Sequence, residues 1–297
     1  MPATNVLDTK SFCFVDLRQA MPELPEIEAL RQRLAPSVVG RELLSITILK
    51  SRLIRPRIAS DLNAALEKAL IVGLDRRAKY LLFTLVDRQS RPQTLLLHLG
   101  MTGRLSWIAN GDFIPKQTGA LFFFESQSLV FEDVRQFGRI GICGAELDEL
   151  GPEPLEAAFT SEVLQTRLAG SGQSIKTLLM DQTRVVGIGN IYASESLFLA
   201  RISPFRPAKF LQSGEINRLH ASIRDTLISA IDRNLRATEL GGFPFYYSPN
   251  GKAKSVESPP EFNVYGATGR PCLSCGTLIQ KRIQLGRSTF FCSACQV

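Results

Sequence analysis

LGPEPLE, residues 150–156, packs two prolines and a glycine into seven positions and divides the chain into two unlike textures. Upstream, apolar residues fall into short β-branched and aromatic runs: LLSITILK (43–50), KYLLFTLV (79–86), TLLLHL (94–99), GRLSWI (103–108), ALFFF (120–124) and SLVFED (128–133). Runs of that length, separated by turn-forming pieces, predict an antiparallel sandwich or barrel. ALEKALIVGLD (65–75) leads into them as helix or strand. One helix comes first: Ile27, Leu30 and Leu34 recur at three- and four-residue spacing, and the pattern predicts an end before Pro36. Downstream the period is helical, in SEVLQTRLA (161–169), IKTLLMDQT (175–183), NIYASESLFLA (190–200) and GEINRLHASIRDTLISAIDRNL (214–235). GGFPFYYSPNGKAKSVESPPEF (241–262) has no period and reads as a long exposed loop. The expected class is α+β with several domains.

Lys and Arg number 35 against 28 acids, a formal charge of +7. That excess suits a polyanionic partner without naming one. Its distribution says more. Residues 41–79 carry nine bases against four acids, and residues 262–297 carry four bases and no acid. Two basic regions, one in each half, suggest a cleft lined from both sides. No apolar run is long enough to span a membrane. The patch Phe12-Cys13-Phe14-Val15 is too short for a secretory signal and is flanked by Asp8 and Asp16. A cytoplasmic protein is expected.

Cys272-Leu-Ser-Cys275 and Cys292-Ser-Ala-Cys295 stand sixteen residues apart. Two CxxC knuckles at that separation suit one tetrahedral zinc ion, and four thiolates leave no open coordination position, so the metal is structural. Redox disulfides are the alternative, and the lack of a secretory signal weighs against them. The zinc would hold KRIQLGRSTFF, the hairpin between the knuckles, rigid against a partner. Cys13 and Cys143 are isolated.

Seven motifs in order give the chain a likeness: MPELPE (21–26), RRAKYLL (76–82), HLGMTG (98–103), the RQFG of VRQFG (134–138), LGPEPL (150–155), VVGIGNIYASESLF (185–198) and the four-cysteine terminus. The chain resembles the bacterial formamidopyrimidine-DNA glycosylases, the Fpg branch of the Fpg/Nei family, from Pro22 to the last cysteine. The leucine in PELPE marks the Fpg branch. The resemblance implies an N-terminal β-sandwich with its leading helix (22–150), a helix–two-turns–helix DNA-binding domain (151–240), a lesion-capping loop (241–262) and a zinc-finger hairpin (263–297). It also implies a monomeric, nucleoid-associated enzyme of base-excision repair. Its partner would be double-stranded DNA carrying oxidised purines (8-oxoguanine, formamidopyrimidines) or abasic sites.

The residue roles follow from the same resemblance. Pro22, as a free secondary amine, would attack the sugar and form a Schiff base, an electron sink for β- and then δ-elimination. Glu23 would be the proton donor. Lys79 and Arg287 would contact phosphates and donate protons for the β and δ steps. Lys176 and Asn190 would bind DNA, Asn190 with backbone N–H groups at a helix start freed by Gly187 and Gly189. Met101, Arg135 and Phe137 would fill the gap left by the flipped nucleotide. Taken alone, PELPE is ordinary helix-start chemistry. VRQFG departs from the family's PRRFG, and RATELGGFPFYYSPNGK (236–252) matches the lesion-loop pattern poorly, which puts lesion preference in doubt. Residues 1–21 pose a chemical conflict, because an attached extension leaves Pro22 a tertiary amide. Translation from Met21, or removal of 1–21, is therefore expected. The rivals are a non-catalytic DNA-binding protein with Pro22 blocked and a Nei-like glycosylase for oxidised pyrimidines.

Overall fold

The structure, a computed structural model, describes residues 21–54, 59–239, 246–247 and 262–297. The extension (1–20) and most of the 241–262 loop lie outside the described residues. The first half runs α1 (Leu24–Val38), β1 (Glu42–Leu43), β2 (Ser45–Ile48), α2 (Ala59–Leu66), β3 (Ala69–Arg77), β4 (Tyr80–Val86), β5 (Pro92–His98), β6 (Arg104–Ala109), β7 (Thr118–Phe123), β8 (Gln127–Glu132) and β9 (Arg139–Ile142). The second runs α3 (Ser161–Leu168), α4 (Ile175–Leu179), α5 (Asn190–Leu199), α6 (Ser213–Glu239), β10 (Tyr246–Tyr247), β11 (Gln280–Gln284) and β12 (Arg287–Phe291).

The strands form two sheets, ordered β1-β3-β4-β5-β9 and β10-β6-β8-β7-β2. Period-two burial builds the layer between them. β4 turns Leu81, Phe83 and Leu85 inward, where they meet Leu105, Trp107, Phe122 and Phe131 of the other sheet in one core. The expected sandwich is therefore present as two sheets rather than a closed barrel. Tyr246–Tyr247, inside the predicted loop, adds β10 beside β6 in parallel. ALEKALIVGLD turns out to be both helix and strand: α2 ends at Leu66, Lys68 turns the chain at φ 57°, and β3 begins at Ala69.

α6, 27 residues long, lays Ile216, Leu219, Ile223, Leu227 and Ala230 along one stripe of a second, helical core shared with α3, α4 and α5. A small third core joins Phe198 of α5 to Val264, Ile279, Phe290, Cys272 and Cys292. Glu195 of α5 accepts N–H bonds from Asn263, Val264 and Tyr265 at 2.8–2.9 Å, tying the final segment to the helix.

α1 lies between the first two cores. Leu24 belongs to the helical one, while Ile27, Leu30, Leu34 and Val38 belong to the sandwich. The helix does not end before Pro36 but continues to Val38. Proline in a helix costs about 3 kcal/mol. Burying Leu34 and Val38 completely returns about 1.5–3 kcal/mol each. Pro36 and Gln32, whose carbonyl loses its partner, are both exposed, so water serves that oxygen.

Candidate active site

Glu23 is the N-cap of α1, and its own N–H donates to Glu26 Oε2 at 2.9 Å. Its carboxylate does not face solvent. It accepts N–H bonds from Gly189 (2.6 Å), Ile191 (2.9 Å) and Tyr192 (3.3 Å), capping α5 from 166 residues away. The Leu24 N–H donates to the Gly187 carbonyl at 3.0 Å, so residues 23–24 are strapped to the 187–192 turn. Three N–H groups at the start of α5 thus serve Glu23. The two glycines have distinct reasons. Gly187 sits at φ +79°, where a Cβ would also strike Leu24; a Cβ on Gly189 would lie 2.5 Å from the Glu23 carboxyl and 2.8 Å from Lys79 Nζ.

Lys79 therefore meets Glu23 across Gly189, both nearly fully buried. Burial pushes the Glu23 carboxyl above its ordinary range, against the pull of Lys79 and the N–H donors. Burial likewise lowers the Lys79 ammonium, and Arg287 adds to that, while Glu23 and Glu26 oppose it. Pro22, buried, immediately precedes this pair, and Met21 is exposed. Glu26 completes the shell by accepting from Tyr192 Oη (2.5 Å) and Asn234 Nδ2 (3.1 Å).

Lys79 sits at the tip of the β3–β4 hairpin, in a two-residue turn with Ala78 at φ 53°. Glu153, inside the LGPEPL linker, holds that tip by accepting the Ala78 N–H at 2.6 Å and pairing with Arg76 (2.8 Å) and Arg77 (3.1 Å). Arg77 also donates to the Leu150 and Gly151 carbonyls, and Arg76 to Glu28. Two bases that the charge count assigned to the lining of a cleft are thus internal staples. Glu153 was not singled out by the sequence reading. The joint presence of RRAK and LGPEPL was the available signal.

Met101, Arg135 and Phe137 come together on two loops that touch: a Cβ on Gly100 would lie 2.6 Å from the backbone of Phe137 and Gly138. Asp133, fully buried, joins them by accepting from Thr102 Oγ1 (2.5 Å), Arg135 N (3.2 Å) and Gly138 N (2.7 Å). Arg135 and Phe137 project into solvent, the guanidinium 4.7 Å from the Phe137 ring centre. Met101 is half-buried beside them. His98 Nδ1 accepts the Gly100 N–H at 3.0 Å, and burial, aided by Lys79 and Arg139, lowers its pKa to about 4. Asp133 and His98 were also missed, as their partners are set by the folded loops.

Lys176 lies against Asn190 and the β11–β12 hairpin. Its ammonium is buried and donates to Asn190 Oδ1 (2.6 Å), Thr289 Oγ1 (2.8 Å) and the Ser288 carbonyl (3.2 Å). All three N–H bonds are spent on protein, and burial lowers its pKa to about 8. Asn190, first residue of α5, donates Nδ2 to the same Ser288 carbonyl at 3.0 Å. Arg287, exposed at the start of β12, pairs through its backbone with Gln284, and its side chain makes no hydrogen bond among the described residues.

Cys272, Cys275, Cys292 and Cys295 place their sulfurs within 4.8 Å of one another, with Cys272–Cys295 at 3.9 Å and Cys275–Cys292 at 3.5 Å. A tetrahedron with Zn–S near ~2.3 Å has edges of ~3.8 Å. The four thiols fit one structural zinc at the base of the β11–β12 hairpin. No described helix is long and apolar enough to cross a membrane.

Three family models match in order: the formamidopyrimidine-DNA glycosylase N-terminal domain at residues 21–140, its H2TH domain at 150–240, and the zinc finger found in FPG and IleRS at 269–297. A formamidopyrimidine-DNA glycosylase of Geobacillus kaustophilus is 38% identical over 93% of this chain and 100% of its own length. Among solved structures, the MutM (Fpg) protein of Thermus thermophilus is 37% identical with a TM-score of 0.77, covering 93% of this chain and 98% of that one. Lactococcus lactis Fpg in complex with abasic-site DNA is 32% identical with a TM-score of 0.78, covering 92% and 99%. With the buried Glu23–Lys79 pair, the four-sulfur cluster and relatives matched along their whole length, the chain belongs to the formamidopyrimidine-DNA glycosylase family.

Proposed function

We propose that this protein removes oxidised purines from double-stranded DNA and then cleaves the abasic strand, acting in the cytoplasm at the nucleoid. One observation carries the reading: a carboxyl held above its ordinary pKa range, on the residue directly after a proline, faces across a glycine a lysine held below its own. Opposed shifts in one buried pair are a common mark of acid–base work.

In this reading the Pro22 nitrogen, free of residue 21, attacks the anomeric carbon. Glu23 gives its proton to the sugar ring oxygen as the ring opens, and the base departs. The resulting iminium acidifies the sugar C2′–H, and its loss expels the 3′ phosphate. Lys79 and Arg287 supply protons for the β and δ steps and hold the flanking phosphates with Asn190. Met101, Arg135 and Phe137 occupy the vacated stack. Residues 22–150 supply the chemistry, 151–240 and 263–297 grip the duplex, and zinc keeps the hairpin in shape.

The chemistry requires a secondary amine at Pro22, so the active species begins there. Borohydride reduction on a duplex with one 8-oxoguanine is the test. A chain beginning at Pro22 should give a covalent adduct at Pro22, and one retaining residue 21 should not. No adduct from the Pro22-start chain, despite tight DNA binding, would leave the non-catalytic reading standing. A duplex carrying an oxidised pyrimidine, run in parallel, separates the Nei-like preference.

A further inference from the structure

Lys176 is one link in a continuous polar chain that no catalytic role requires. From the Lys176 ammonium it passes to Thr289 Oγ1 (2.8 Å), whose hydroxyl donates to Gln284 Oε1 (3.1 Å). Gln284 Nε2 donates in turn to Ser174 Oγ (2.5 Å) and to the Pro204 carbonyl (3.4 Å), and Ser174 Oγ bonds Thr177 Oγ1 (2.8 Å). At the other end Lys176 holds Asn190 Oδ1, and both residues bond the Ser288 carbonyl. Gln284 closes β11 and Thr289 lies within β12, on either side of the turn that presents Arg287. Thr289 is fully buried and Lys176 nearly so.

We infer that Gln284 and Thr289, with Lys176, are positioning residues: an internal strut that fixes the zinc hairpin, and with it Arg287, in register with Asn190 on α5. The inference rests on the DNA-glycosylase reading of the site. A strut of this kind differs in kind from a phosphate contact. Removing a contact releases one counterion fewer, so the slope of log K against log salt falls by about 0.9. Removing a strut weakens binding while the number of phosphates engaged stays the same. Thr289→Val keeps the shape but leaves the buried ammonium short of an acceptor and the half-buried Gln284 Oε1 short of a donor.

The test is affinity of the full chain for a duplex with one tetrahydrofuran abasic analogue, measured across salt concentrations. This needs no free Pro22. Thr289→Val and Gln284→Leu should each weaken binding about tenfold with the wild-type slope and an unchanged zinc content. Thr289→Ser should restore affinity, and Arg287→Gln should lower the slope by about 0.9. A Thr289→Val or Gln284→Leu protein that binds within twofold of wild type overturns the strut. So does one whose slope falls as far as that of Arg287→Gln. If Thr289→Val loses zinc, Gln284→Leu decides alone, and loss of zinc in both also overturns it. A wild-type chain that ignores the duplex overturns the glycosylase reading first and leaves the strut nothing to position.

Discussion

Gly189 shows how little room the site leaves. Its absent Cβ is the space in which Glu23 and Lys79 approach each other. Gly189→Ala should displace one of them and lower turnover of the Pro22-start enzyme on the order of 10²-fold, with DNA affinity close to wild type. Single-turnover kinetics beside a binding isotherm would show it, and equal loss in both would contradict it. His98 makes a second prediction. Its folded pKa is about 4 against an ordinary 6.5, so between those values the unfolded chain holds the extra proton. The group's stabilisation is fully present above about pH 6.5 and is lost as pH falls toward about 4, up to roughly 3 kcal/mol. Urea midpoints across that window should fall with pH in the wild type and fall less in His98→Gln.

At the scale of elements, the β11–β12 hairpin depends on its metal. Of the hairpin, Phe290 joins the small third core beside Cys272 and Cys292, and Phe291 is buried against Phe205, a small apolar area that leaves zinc to hold the hairpin. Chelation should abolish duplex binding while the β-sheet signal of the sandwich persists, and added zinc should reverse the loss. A chelated protein that still binds would contradict this.

The same element shows what could be read in advance. Four cysteines at fixed spacing name their own partners, and the short apolar run KYLLFTLV predicts the strand that is found as β4. Arg76, Arg77 and Lys176 are different, because a basic residue in a sequence carries a charge but not an address. Their acceptors lie on other elements: Glu153 for the arginines, and Asn190, Ser288 and Thr289 for the lysine. Pro36 failed as a stop signal because burial of its neighbours outweighs the proline penalty, which local sequence does not express.

For the whole molecule, the decisive arrangement is that α1 is shared. Leu24 packs in the helical core one turn from Ile27 in the sandwich core. Leu24→Ala should cost about 2–5 kcal/mol and should lower the thermal midpoint with the two halves still melting together. Separate transitions for sheet and helix signals would argue that the halves are independent.

The buried carboxylate of Glu23 sits on α1, but the three N–H groups that hold it belong to α5, 166 or more residues further along. The carboxyl proposed as the acid is therefore in place only when both halves are folded and docked. A newly made chain would pass through every partly folded state without that carboxyl in place. On the strand-cleaving reading proposed above, the protein would thereby be harmless until complete.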